Sequence, residues 1–530
     1  MASCSLAHLR TPMSPTTTPP RFRITPLAKA ALLSLAALLA SPALPQSEAP
    51  QSTTAALPNL GDGNDLTPAA ERRIGDRIAR ELFRDPDYLD DPVITDYVQG
   101  IWLPLLTAAR QRGELPVQLD EAFAWQILMG RDRTVNAFAL PGGYFGLHLG
   151  LVGIVTSRDE LASVLAHELS HVTQRHISRS MARQAAQAPW LMGAMILGIL
   201  AASKDPGAAQ ATIVGGQAAA VQSQLNYSRD MEREADRVGF GVQTQAGFAP
   251  QGFVGMFEKL QQSSRLNDLG GFPYLRSHPL TTERIADMQS RVQQSGKGEQ
   301  RPLTTLEHAM VAARARILSN GAVDDLRLWE QQAQPVNLAK LSTEMQVGTL
   351  YGASFAAIKL RDFALAQATL ARLQPRATPN VAASHLTRLL AMEMALAQGQ
   401  VAAAQKLGQG LSDASRATLL LRSQVDTLAG RGESSAQNLQ TWLADHPQDA
   451  QAWQLLASAN AAIGRPVAAV RAEAEVNVAQ LDYATAFTRF KAAQDMARKS
   501  KSTADHIDAS IVDTRARQME SMLREQALER

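Results

Sequence analysis

The pentapeptide His167-Glu168-Leu169-Ser170-His171 constrains this chain more than any other stretch. Two imidazoles four residues apart lie on one face of a helix, one turn above the other. Both can therefore bind one divalent zinc ion, at about 2.0–2.1 Å each. Glu168 projects beside them, where it can take a proton from an attacking water as general base. The flanks support a helix. Ser157 and Glu160 have the spacing of a capping box, and Leu161, Val164, Leu165, Leu169 and Val172 form an apolar stripe. An H-E-x-x-H string also arises by chance, and the capped helical context is what separates a ligand pair from coincidence. The pair still needs a third ligand.

That ligand is sought in Met231-Glu232-Arg233-Glu234-Ala235-Asp236. Glu232 and Asp236 are one helical turn apart, so both can face one point. Glu232 can bind the metal as a carboxylate, and Asp236 can orient a ligating imidazole from behind. Arg233 and Glu234 read as a charged, solvated face, as most such runs are.

The first 43 residues read differently from the rest. Arg10, Arg21, Arg23 and Lys29 precede or open an apolar run from Ala30 to Ala40, and Ser41-Pro42-Ala43 offers small residues for cleavage. This is the layout of a secretory signal peptide, and the run is shorter than the ~20 residues of a membrane span. The whole chain is formally +2, and residues 1–43 carry four cations and no acid, so the remainder is +2 − 4 = −2. No basic surface remains to follow a phosphate backbone, which excludes nucleic acid as an expected partner. The single cysteine, Cys4, lies in the same segment, so disulfides and thiolate ligands are not expected in the mature chain. The layout implies export behind a cleaved signal.

Residues 44–66 are rich in Pro, Ser and Gly and read as a flexible lead-in. Helices are expected from Thr67-Pro68 and over roughly Pro92 to Arg110. Alternation predicts strands at Val117 to Met129, Val135 to Leu140 and Tyr144 to Leu149, leading directly into the H-E-x-x-H helix. After the motif, Trp190 to Ala202 and Ala208 to Val221 are apolar but short, which favours a helical hairpin, with peripheral membrane contact through residues 190–202 left open. A polar stretch at 295–302 is the expected linker. Beyond it, Ala- and Leu-rich helix pairs recur, with turns near Arg361-Asp362, Gly399, Gly432 and Gly464. That spacing is close to a ~34-residue repeat period, with a generic helical solenoid as the alternative. The expected fold is mainly α: a zincin-type α+β metallopeptidase domain with a small sheet at 67–294, then an α-helical repeat solenoid of tetratricopeptide type at 303–530.

Taken together, H-E-x-x-H, the E-x-x-A-D run and the element His278-Pro279-Leu280-Thr281-Thr282-Glu283-Arg284 resemble the gluzincin metallopeptidases related to CAAX prenyl endopeptidase and HtpX. The resemblance implies one zinc ion per chain held by His167, His171 and Glu232, with Glu168 as base. It implies His278 close to the metal, as a fourth ligand or latch that would displace the catalytic water and leave the enzyme latent. Arg284 is then a candidate for contact with substrate carbonyls or a developing oxyanion. Asn136, Ala137 and Phe138 fall on a strand that could pair with an extended substrate. The export signal and repeats extend the implied role to outer-membrane protein quality control: a zinc metalloendopeptidase and chaperone that degrades misassembled barrel proteins and assists their assembly. Its partners would be unfolded outer-membrane proteins and, through the repeats, the barrel-assembly machinery. The rival expectation is a non-proteolytic periplasmic scaffold or chaperone, with a structural zinc site.

Overall fold

Thr67 and Pro68 start the first helix as their chemistry dictates: Thr67 Oγ1 accepts from the Ala70 N–H at 3.2 Å, and α1 runs Pro68–Arg84. Asp91 caps α2 (Pro92–Gln111) in the same way, through the Ile94 N–H at 3.0 Å. The computed structural model describes residues 66–183, 229–265, 271–296, 303–411, 414–500 and 503–528. The segment 1–43, nearly all of the lead-in, the apolar stretches at 190–202 and 208–221 and most of 295–302 lie outside the described residues.

The strand expected from Val117 is a helix at its start. Pro116 sets the φ that opens α3 (Val117–Ala122), which buries Leu119 alone. Trp125 then takes a left-handed φ of 50°, and only after this break does β1 (Gln126–Gly130) begin. β2 is Ala137–Leu140 and β3 is Tyr144–His148. The order is β1-β3-β2, with β3 central and fully buried, parallel to β1 and antiparallel to β2. Gly142 and Gly143, at φ 72° and 77°, make the turn between β2 and β3 that a side chain would strain. The sheet does not lead straight into the motif helix. A short helix, α4 (Leu149–Ile154), intervenes before α5 (Arg158–Thr173).

α5 is not amphipathic in place: every residue from Glu160 to Thr173 is buried. Ser157 caps it through the Glu160 N–H at 3.2 Å, but the reciprocal arm of the box differs. The Glu160 carboxylate accepts from the backbone N–H of Thr156, at 2.6 Å, and from its hydroxyl. α6 (His176–Arg183), α7 (Arg229–Gln245), α8 (Gln251–Arg265), α9 (Tyr274–Ser277) and α10 (Thr282–Gln294) complete the part around the motif.

From α11 (Leu306–Ser319) to Leu528 the described chain is helical, and successive helices pack on their neighbours. Left-handed residues close several turns: Arg361, Gly399, Gly430, Gly464 and Leu481. Gly430 takes the turn, and Gly432 opens the following helix. The described residues fall in one compact unit, and one apolar core runs from Val93 through Val425. α11 packs on α4 and on the helix Thr343–Leu360. Polar clamps reinforce the junction. Arg314 binds Asp91 and Glu393, each at 2.8 Å, and Arg416 binds Asp90 and Asp449. His308 sits between Tyr97 Oη, 2.7 Å from its Nδ1, and the Val155 carbonyl, 2.9 Å from its Nε2. Far along the arm, the Leu481 carbonyl accepts from Arg80 of α1 at 2.7 Å, and Asp482 pairs with Arg84 at 3.2 Å.

Candidate metal centre

α5 supplies His167, Glu168 and His171 from two adjacent turns, all buried. α7 crosses it at close range because of Gly239: a Cβ there would stand 3.0 Å from the Ala166 carbonyl oxygen. That approach brings Glu232 and Asp236 beside His167. α9 is a single turn that ends in His278, and Thr281 then caps α10, which carries Arg284.

The donor atoms converge. His167 Nε2 and His171 Nε2 are 3.0 Å apart, and the Glu232 oxygens lie 3.5 and 3.4 Å from them. His278 Nδ1 is 3.4 Å from His167 Nε2 and 3.0 Å from Glu232 Oε1. One ligand atom from each of His167, His171, Glu232 and His278 lies within 4.8 Å of the others. Donors of a tetrahedral ion bound at ~2.0–2.1 Å stand about 3.3 Å apart, so the spacing suits such an ion. The chemistry suits it too: three imidazoles and a carboxylate, with no thiolate, are donors for zinc and its neighbours in the first transition row.

Charge follows geometry. Burial alone would push Glu232 up, but His278 and His167 hold it well below the usual carboxylate range. Burial draws His171 well below the usual imidazole range, and the neighbouring His167 adds to this. His167 behaves oppositely: burial pulls it down, yet Asp236 and Glu232 outweigh that and raise it to about 9. Glu168 is raised, by burial first, against the opposing pull of His278 and His167. Both its oxygens are buried without a hydrogen bond, with His278 Nε2 3.5 Å from Oε1. A raised, unsatisfied carboxylate beside a metal-donor cluster is fitted to exchange protons with a bound water.

Behind the donors, Asp236 Oδ1 lies 3.0 Å from His167 Nδ1. Asp236 is in turn gripped by Arg284 through bonds of 2.7 and 2.8 Å. Arg284 also pairs with Glu232 at 2.7 Å and donates to the Pro279 carbonyl at 2.9 Å. Its guanidinium is 4% exposed and committed to the two carboxylates, rather than turned towards a cleft.

Asn136, Ala137 and Phe138 lie at the start of β2, which packs against α5. Asn136 accepts from the His148 N–H at 3.1 Å, Ala137 is fully buried, and Phe138 is half-buried with its ring over Gly146. Val135, just before them, donates to the Gly271 carbonyl at 2.8 Å and accepts from the Tyr274 N–H at 3.3 Å. The segment that carries His278 is thus paired with the chain where β2 begins.

Sequence reasoning misread Glu234 and passed over His176. Glu234 is no solvated charge: it accepts from His176 Nε2 and from Arg179, each at 2.9 Å. His176, fully buried, faces His171 Nδ1 at 2.9 Å. Burial draws His176 below the usual imidazole range, with Glu234 opposing. A third histidine, five residues beyond the motif, was the only available signal.

Residues 111–292, which hold every one of these donors, match Peptidase family M48. The chain is 30% identical over 484 residues to a Vibrio cholerae relative assigned to the beta-barrel assembly-enhancing proteases, covering 89% of this chain and 94% of that protein. It is 29% identical over 435 residues to the beta-barrel assembly-enhancing protease of Escherichia coli K12, covering 81% and 85%. It is also 27% identical over 196 residues to the mitochondrial metalloendopeptidase OMA1 of Saccharomyces cerevisiae, covering 36% and 54%. A full-length match together with a buried histidine and carboxylate donor cluster on the matched residues leaves one assignment: the chain belongs to peptidase family M48 and is a metallopeptidase.

Proposed function

We propose that this chain is a periplasmic zinc endopeptidase that cleaves unfolded or misassembled outer-membrane proteins and assists barrel assembly. The observation that carries the reading is the convergence of four donors within 4.8 Å beside an unsatisfied Glu168. The names borne by relatives that match most of this chain, beta-barrel assembly-enhancing protease, support the link to barrel assembly. Among the described residues no helix is long and apolar enough to cross a membrane.

His167, His171 and Glu232 would hold the zinc ion, which supplies Lewis-acid polarisation of the scissile carbonyl and a more acidic attacking water. Glu168 takes the proton of that water and delivers it to the leaving amine. Asp236 fixes the ring of His167, and Arg284 fixes Asp236 and Glu232 together. An extended peptide pairs with the strand around Asn136, Ala137 and Phe138 once the Gly271–Tyr274 segment withdraws. The same withdrawal removes His278 from the donor cluster, so substrate access and release of a fourth ligand are one motion. His278 is therefore a latch. A catalytic site needs an open position, and a closed four-ligand set denies it.

The division of labour is peptidase at 67–294 and repeat arm at 303–530, with the arm, of tetratricopeptide type, as the docking platform for the barrel-assembly machinery. The shared core from Val93 to Val425 means that deleting residues 303–530 would strip α11 from α4, so the full chain is the proper test object. Zinc-loaded full-length protein is assayed on casein and on a misfolded barrel protein, as wild type and as His278→Ala. The expected outcome is retained zinc with raised and less selective cleavage. Loss of cleavage with zinc still bound would make His278 an assistant in the reaction and end the latch.

A further inference from the structure

The histidine pair of the motif is backed by two different devices. His167 rests directly on a carboxylate, Asp236. His171 meets another imidazole at its Nδ1, His176, at 2.9 Å, and the carboxylate of Glu234 stands behind that ring at 2.9 Å. We infer that His176, backed by Glu234, is a positioning residue for His171: it accepts the His171 Nδ1–H and so presents the His171 Nε2 lone pair to the metal. The inference rests on the reading of the donor cluster as a metal centre.

The proton order follows from the acceptor at the end of the chain. An ionised Glu234 can only accept, so the His176 Nε2 facing it carries a proton. In a neutral ring the His176 Nδ1 is then a lone pair, and the His171 Nδ1 opposite it must be the donor. His171 Nε2 then carries the lone pair, and it is the nitrogen that points at His167 Nε2 and Glu232. With the opposite order, His171 would carry its proton on Nε2 and could not ligate.

Local structure builds the arrangement deliberately. α5 ends at Thr173, and Arg175 adopts φ 54°, a costly region for a residue with a side chain. The Arg175 guanidinium offsets that cost by binding Glu71 at 2.9 Å and Ser178 at 3.1 Å. The reversal begins α6 at His176, so the ring folds back beneath His171 with no exposed surface. One turn on, Arg179 binds Glu234 at 2.9 Å and holds the carboxylate in place.

The test uses purified full-length protein, with zinc affinity measured by competition against a chromophoric chelator and site geometry read from the visible spectrum of the cobalt(II) form. His176→Phe fills the space but offers no acceptor; it should weaken zinc binding about 10–100-fold and alter the cobalt spectrum. His176→Asn places Oδ1 where Nδ1 stood and should restore most of the affinity and the wild-type spectrum. Glu234→Ala, at a part-exposed position, should weaken zinc several-fold and serves if the His176 variants do not fold. Wild-type affinity in His176→Phe, equal weakness of Asn and Phe, or unchanged affinity in Glu234→Ala overturns the inference. A wild-type protein that binds no zinc overturns the metal-centre reading instead, so the two failures are distinguishable.

Discussion

Arg284 holds Asp236 through two parallel hydrogen bonds of 2.7 and 2.8 Å, and the same carboxylate faces His167 Nδ1 at 3.0 Å. A planar guanidinium can bridge two oxygens in one plane, whereas an ammonium is a point donor. Arg284→Lys keeps the charge but loses the fork, which frees Asp236 to rotate away from the ring it orients. Zinc affinity should fall about 10–100-fold, read by chelator competition. Unchanged affinity would reduce the clamp to a packing feature.

Glu168→Gln preserves size and removes the proton acceptor. Its near neighbour is the His278 ring, 3.5 Å from Oε1, and the amide oxygen can still accept there while the charge is lost. The variant should bind zinc as wild type does and lose about 10²–10⁴-fold in peptide hydrolysis. Equal cleavage of casein by the two proteins would remove Glu168 from the reaction.

His308 makes the fold acid-sensitive at the join between peptidase and arm. Its ring bonds the Val155 carbonyl through Nε2 and Tyr97 Oη through Nδ1, and burial lowers its pKa despite the opposing Val155 bond. With the folded value below the unfolded ~6.5, the unfolded chain binds the proton first as the solution is acidified. Stability from this group is complete above about pH 6.5 and declines as pH falls towards the folded value. Urea midpoints of wild type should drop between about pH 7 and pH 5. His308→Gln should show a shallower drop; an identical slope would exclude His308 as the cause.

Arg314 is 4% exposed and joins Asp91 and Glu393, residues separated by most of the chain. Truncating it to Ala leaves the buried Asp91 carboxylate without its cation, at a cost of about 3–5 kcal/mol. Denaturant unfolding measures this directly. A loss under 1 kcal/mol would mean that water reaches Asp91 and screens it.

What the chain spells locally could be read from it. Caps at Thr67, Asp91 and Ser157, the helical spacing of His167 and His171, and the turn between Glu232 and Asp236 all depend on neighbours within a few residues. The misread stretch at Val117 shows the limit of period alone, because Pro116 and the left-handed Trp125 set the backbone there and the alternation did not. Glu234 looked solvated because its partners, His176 and Arg179, are 58 and 55 residues away. The burial of α5 on every side likewise depends on α2, α7 and α8 arriving around it, which no single helix pattern encodes.

A stack of helical repeats normally touches only its neighbours and behaves as a spring with one free end. Here the turn at Leu481 is fastened to Arg80, and Asp482 to Arg84, at the other end of the sequence. A spring clamped at two points has its pitch between them set by its supports. The helices between those supports therefore keep a preset pitch and curvature. Yet the Arg84 ion pair is half-exposed, and such pairs hold only about 0.2–1 kcal/mol. The fastening therefore rests more on the Arg80 bond and on the packing of Leu481 against the cluster of Ile78, Leu140 and Tyr144 than on that pair.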